Sequence, residues 1–135
     1  MPQTIAAVAL VVPDYDEAIA YYIGVLGFEL IEDSALGDGK RWVLVAPPGS
    51  HGTRLLLARA ATAAQLERVG DQTGGRVFLF LHTDDFHRDH ALLSERGVEF
   101  VELPREESYA IVVVFRDRYG NRWDLIQPRS GAHTV

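Results

Sequence analysis

Gly120–Pro128, GNRWDLIQP, lies over Gly52–Ala60, GTRLLLARA, without a gap. Gly120 falls on Gly52, Arg122 on Arg54 and Leu125 on Leu57, while Asp124 falls on Leu56. The correspondence continues upstream. Asp14-Tyr15 opens an apolar helical segment ending in Leu26-Gly27-Phe28-Glu29-Leu30, and Asp85-Phe86 opens one ending in Arg96-Gly97-Val98-Glu99-Phe100. A supersecondary unit written twice, about 70 residues apart, must bury the same faces twice, and that limits the fold more than composition does.

The elements follow from patterning. Thr4–Val12 is a continuous apolar run bounded by Pro13-Asp14, as in a strand covered on both faces. Asp14 is placed to cap a helix, with Glu17 three residues on and Tyr15, Ile19, Tyr22 and Leu26 at helical spacing. Gly27 is placed to end it. Strands are expected at Phe28–Ile31, Arg41–Ala46 and Thr53–Ala58, joined by Gly37-Asp38-Gly39 and Pro47-Pro48-Gly49-Ser50. Ala61–Val69 reads as a connecting helix and residues 70–75 as a flexible link, with Gly74-Gly75 hinge-like. The order then repeats: a strand at Val77–His82, a helix at Asp85–Glu95, and strands at Val98–Leu103, Ala110–Phe115 and Arg122–Gln127. The organisation is therefore α+β, two tandem βαβββ modules. Residues 1–60 form the first, 61–76 the connection, 77–128 the second and 129–135 a disordered tail. Trp42 and Trp123 are expected in the core.

The net charge of −6 argues against nucleic acid and against anionic membrane, both of which reward basic patches. Cysteine is absent, which removes disulfides, thiolate metal sites and a cysteine nucleophile, and fits a cytoplasmic protein. Ala6–Val12 is too short to span a bilayer and lacks a basic leader.

Leu10-Val11-Val12-Pro13-Asp14-Tyr15-Asp16 with Ala18 and Tyr22, then Leu26-Gly27-Phe28, and finally FRDRYGNRWDLIQ from Phe115 to Gln127 resemble the vicinal oxygen chelate superfamily. That superfamily holds glyoxalase I, bleomycin-resistance proteins, methylmalonyl-CoA epimerase and extradiol dioxygenases. The closing segment is the most specific part, close to F-x-D-x-x-G-N-x-W-E-L-x-Q. The resemblance implies modules whose strands curl into a half-barrel cavity with helices outside, and a homodimer.

It also implies four divalent-metal positions in catalytic members, one on the first and one on the last strand of each module. Counting back from Asp14 gives Ala7, and the same count from Asp85 gives Phe78; the last-strand positions are Leu56 and Asp124. Ala7, Leu56 and Phe78 offer no lone pair, and one carboxylate does not hold a divalent ion. No cofactor is expected, and no metal at the usual place.

Strand alternation turns each of those positions into a cavity-facing row. The rows read Ile5, Ala7, Ala9, Val11; Arg54, Leu56, Ala58; Phe78, Phe80, His82; and Arg122, Asp124, Ile126. They predict a small-molecule cleft with an apolar, partly aromatic wall. Small Ala7 and Ala9 leave room, Phe78 and Phe80 offer stacking faces, Leu56 adds to the apolar wall, and Arg54 and Arg122 suit an anionic group. Alternatively, Arg122 and Asp124 neutralise each other and Arg54 reaches solvent. His82 is either a wall residue or a general base with Asp124 as partner. His87 and His90 share a helix face beside Asp84, Asp85 and Asp89 and read as a solvated helix start.

Two functions follow. One is binding or sequestration of a small organic molecule with an anionic or planar part, as the resemblance to bleomycin-resistance proteins suggests. The other is a lyase, isomerase or dioxygenase-type enzyme, using His82 and Asp124 as acid–base groups or a displaced metal site.

Overall fold

The computed structural model describes residues 2–130; of the expected tail, 131–135 lie outside them. The chain divides between Val69 and Gly70 into two compact units, each with its own mixed sheet and helix. The α+β class and the repeated module are as the sequence predicts.

In the first unit, β1 (Ala7–Val12) leads to α1 (Tyr15–Gly24), then β2 (Glu29–Gly37), β3 (Lys40–Ala46), β4 (Arg54–Arg59) and the short α2 (Ala63–Leu66). The sheet order is β1-β4-β3-β2, so the first and last strands pair in parallel and the rest antiparallel. Asp14 caps α1, its Oδ2 accepting from Glu17 N at 2.8 Å. Tyr15, Ala18 and Tyr22 form the buried face of α1; Leu10, Val12, Val43, Val45 and Leu57 are fully buried in the strands. α1 stops three residues before Gly27, whose φ of +77° is a left-handed value that glycine adopts without Cβ strain.

β2 runs well past the expected Ile31. It is the outer strand of its sheet, exposed along most of its length, so no apolar alternation marks it. α2 is a single capped turn rather than the nine-residue helix expected at Ala61–Val69, and it buries no residue. An isolated turn without an apolar face has nothing to extend it.

The second unit runs β5 (Val77–His82), α3 (Phe86–Glu95), β6 (Glu99–Phe100), β7 (Arg105–Glu106), β8 (Ala110–Arg116) and β9 (Arg122–Pro128). Its order is β5-β9-β8-β6, with β7 also on β8. The strand expected at Val98–Leu103 is split. Val114 N donates to the side chain of Glu102 at 3.1 Å, so a carboxylate stands where a strand carbonyl would accept. Pro104 follows without an N–H of its own, and Leu103 stands 84% exposed. Phe86, His90, Phe100, Phe115 and Trp123 form a continuous chain of ring contacts, stacked, tilted and edge-on, between α3 and the sheet. His90 lies 4.4 Å from Phe100 and nearly parallel to Phe86, so it belongs to this packing and not to a solvated helix start.

Candidate functional site

Strand register sorts the side chains, because residues directly opposite each other share a face. In the first sheet Ala9 lies opposite Leu56, Leu56 opposite Leu44, and Ser34 opposite Trp42. Ala7 lies opposite Arg54 on the same face. In the second sheet Phe80 lies opposite Asp124, which also faces Val114, while His82 lies opposite Ile126. Arg122 is opposite both Val77 and Arg116. Phe78 falls in a bulge: Val77 pairs with Arg122 and Leu79 with Trp123, so the alternation that would place Phe78 with Phe80 is interrupted there.

A cleft of about 560 Å³ opens in the first unit at the ends of β3 and β4. Leu36, Trp42, Leu56 and Ala58 supply its apolar wall, and Tyr15, Asp38, Lys40, Arg41 and Arg59 its polar one. Of the predicted residues, Leu56 lines it; Ala7 and Arg54 stand further back along the β1–β4 ladder. Trp42 is not core. It is 40% exposed and offers its indole to the cleft, whereas Trp123 is 3% exposed as expected. Extending the alternation from Leu56 across to β3 would have placed Trp42 on this face; its size alone suggested burial.

The polar wall is built around Tyr15. The guanidinium carbons of Arg41 and Arg59 each lie 5.2 Å from its ring centroid, and its hydroxyl accepts from Arg41 N at 3.2 Å. Arg41 is fully engaged: Nε and Nη2 take both oxygens of Asp33 at 3.1 and 2.7 Å, and Nη1 takes Asp16 at 2.9 Å. Hydrogen bonding from Arg41 holds the Asp33 carboxyl below its usual range.

In the second unit Asp124 is the unusual group. Its Oδ1 is buried and accepts no hydrogen bond. Burial raises the Asp124 carboxyl above its usual range; Arg105 opposes this and Glu102 reinforces it. Neither Arg122 nor His82 bonds to it among the described residues: the cation it feels is Arg105, whose Nε donates to Glu102 at 2.9 Å. Nothing in the sequence pairing of Arg122 with Asp124 pointed to Arg105, which reaches the site only because β7 lies along β8 at Val112. At the family's four metal positions the donor set remains Ala7, Leu56, Phe78 and Asp124, which does not fit a divalent ion, and no other group of three or more His, Cys, Asp or Glu among the described residues suits one.

The most specific sequence motif proves to be structural. Asp117, 5% exposed, accepts from Tyr119 N and Asn121 N at 3.0 Å each, from Asn121 Nδ2 at 2.9 Å and from Trp123 Nε1 at 3.3 Å. Gln127 closes the other end, accepting from Phe86 N at 2.8 Å and donating to Asp84 O at 3.2 Å, and so ties β9 to the start of α3.

Residues 4–125 match the model of the Glyoxalase/Bleomycin resistance protein/Dioxygenase superfamily. The chain belongs to this superfamily. An uncharacterized protein of Shewanella frigidimarina is 55% identical over 128 residues, covering 94% of this chain and 95% of its own. Among solved structures, UcmS2 superposes with a TM-score of 0.80 at 26% identity, covering 93% of this chain and 98% of its own. TnmS3, an antibiotic binding protein from Streptomyces sp. CB03234, does so with a TM-score of 0.74 at 30% identity, covering 96% and 98%. Among the described residues no helix is long and apolar enough to cross a membrane.

Proposed function

We propose that this superfamily member binds a small organic molecule with a planar apolar part in the cleft of its first unit, without the metal centre of catalytic relatives. One observation carries the reading: Trp42 is held half out of the protein as a wall of a cleft of about 560 Å³, with Leu36 and Leu56 beside it. A large indole left exposed in a concavity of ligand size is where stacking gains most. The similarity to an antibiotic binding protein supports the same reading. The acidic net charge of −6 favours a small molecule over nucleic acid as the partner.

The test is calorimetric titration with a panel of neutral bicyclic and tricyclic aromatics, 1-naphthamide among them. Trp42→Ala is expected to weaken the best binder by roughly five-fold or more, the scale of an aromatic contact. No binding to the native chain, or an affinity untouched by Trp42→Ala, would overturn the reading.

A second reading, proton transfer to or from a bound molecule by Asp124, is favoured by its unpartnered Oδ1 and raised pKa. His82 and Phe80 stand on the same sheet face. In this reading Asp124→Asn abolishes turnover of any substrate found while leaving its binding intact; equal turnover by the variant would remove it.

A further inference from the structure

Charge in the first-unit cleft is unevenly answered. Three cations line it: Lys40, Arg41 and Arg59. Arg41 spends its guanidinium on Asp16 and Asp33. Arg59 has no carboxylate partner among the described residues, although its position is well defined. Its guanidinium carbon lies 5.2 Å from the centre of the Tyr15 ring, and a Cβ at Gly39 would come within 3.4 Å of its Nη2. The guanidinium is thus held between α1 and the Gly37-Asp38-Gly39 turn, the turn from which Lys40 leaves. Lys40 likewise has no acidic partner among the described residues. Asp38 is the one carboxylate in the lining, and with Asp16 and Asp33 on Arg41 it balances the three cations in sum; what the cleft offers an anion is two cationic side chains outside any ion pair among the described residues, Lys40 and Arg59. An exposed arginine laid on an aromatic face beside a tight turn gives up part of its side-chain freedom in advance and keeps its guanidinium open to a planar anion.

We propose that the cleft takes the anionic end of its ligand, a carboxylate or a phosphate monoester, on Arg59 and Lys40, with the planar part against Trp42. This rests on the binding reading above and adds the ligand's charge to it. The anion-binding residues are then Arg59 and Lys40 rather than the repeat-related Arg54 and Arg122.

The experiment compares 1-naphthoate, 1-naphthyl phosphate and the neutral 1-naphthamide by calorimetry at low salt. Both anions should bind about ten-fold more tightly than the amide, the sum of two partly exposed charge contacts, and the margin should shrink as salt is added. A gain for only one anion identifies the head group as carboxylate or phosphate and upholds the site. Arg59→Gln should reduce the preference for the anions over the amide below about three-fold. Should Arg59→Gln unfold the chain by releasing Tyr15, Lys40→Gln at the exposed hairpin carries the same test. Equal affinity of native protein for the anions and the amide overturns the anion site and leaves the cleft reading standing, as does a preference that survives both substitutions. Amide binding that ignores Trp42→Ala overturns both.

Discussion

Asp117→Ala should be among the most damaging single changes outside the apolar core. Four donors converge on this carboxylate at 2.9 to 3.3 Å, and those of Asn121 and Trp123 are buried. Alanine leaves those three buried donors without this acceptor, at about 1–3 kcal/mol each before relaxation. Partial rehydration and the shared geometry of the network make the terms less than additive. We expect a net loss of about 3–5 kcal/mol, a large share of the roughly 5–15 kcal/mol that stabilises such a domain. Asp117→Asn keeps one acceptor oxygen but turns an NH₂ toward donors, and should cost about 2 kcal/mol. Urea denaturation followed by tryptophan fluorescence reads both, since Trp123 reports the loop directly, and the slope m should not change. A loss under about 1 kcal/mol for Asp117→Ala would refute the assignment of this motif to structure and leave it open to a role in binding.

Gly70→Ala should cost more than about 3 kcal/mol, because its Cβ would fall 1.8 Å from the carbonyl oxygen of Tyr119 at a φ of +77°. Gly49→Ala, at φ +72° with nothing within 4 Å, should cost only about 1 kcal/mol by the same denaturation assay. Gln127→Ala removes the acceptor of Phe86 N and the donor to Asp84 O and should lower stability by about 1–2 kcal/mol. Asp124 has a folded pKa raised above its unfolded value of 3.8, so its burden is absent where both states are protonated, grows as pH rises through the window between the two values, and is complete above the folded one. Asp124→Asn should therefore raise the urea midpoint at pH 7 and lose that advantage below about pH 3; an equal effect at both pH values would mean the group is not ionising as described.

The duplicated pattern made the fold legible because each copy carries the same signals in the same order: a capping Asp, an apolar helix face, a terminating Gly. What stayed hidden depended on the neighbours of a strand rather than on its own residues. The length of β2 could not be read because an outer strand need not alternate, and the break between β6 and β7 depends on Glu102 reaching Val114 across the ladder. The site was legible in part. Leu56 lines the cleft, and Phe80 and Asp124 are paired across β5 and β9. Trp42, Tyr15 and Arg59 were missed as site residues because size and charge suggest core and solvent, and only the convergence of α1, the β2–β3 turn and the end of β4 brings them together.

Each unit is closed by pairing its first strand with its last, residues about 45 apart in sequence, while the hairpin between β2 and β3 is joined by a turn of two or three residues. The consequence is an order of events. The β2–β3 hairpin can form within microseconds, but β1 has no strand partner until β4 arrives, and the same holds for β5 and β9. On the ribosome the amino-terminal unit becomes complete once α2 has emerged, with the closing strand β9 of the carboxy-terminal unit still to come. The carboxy-terminal unit repeats the wait, because β5 at Val77–His82 stays without its parallel partner until β9 at Arg122–Pro128 has been made.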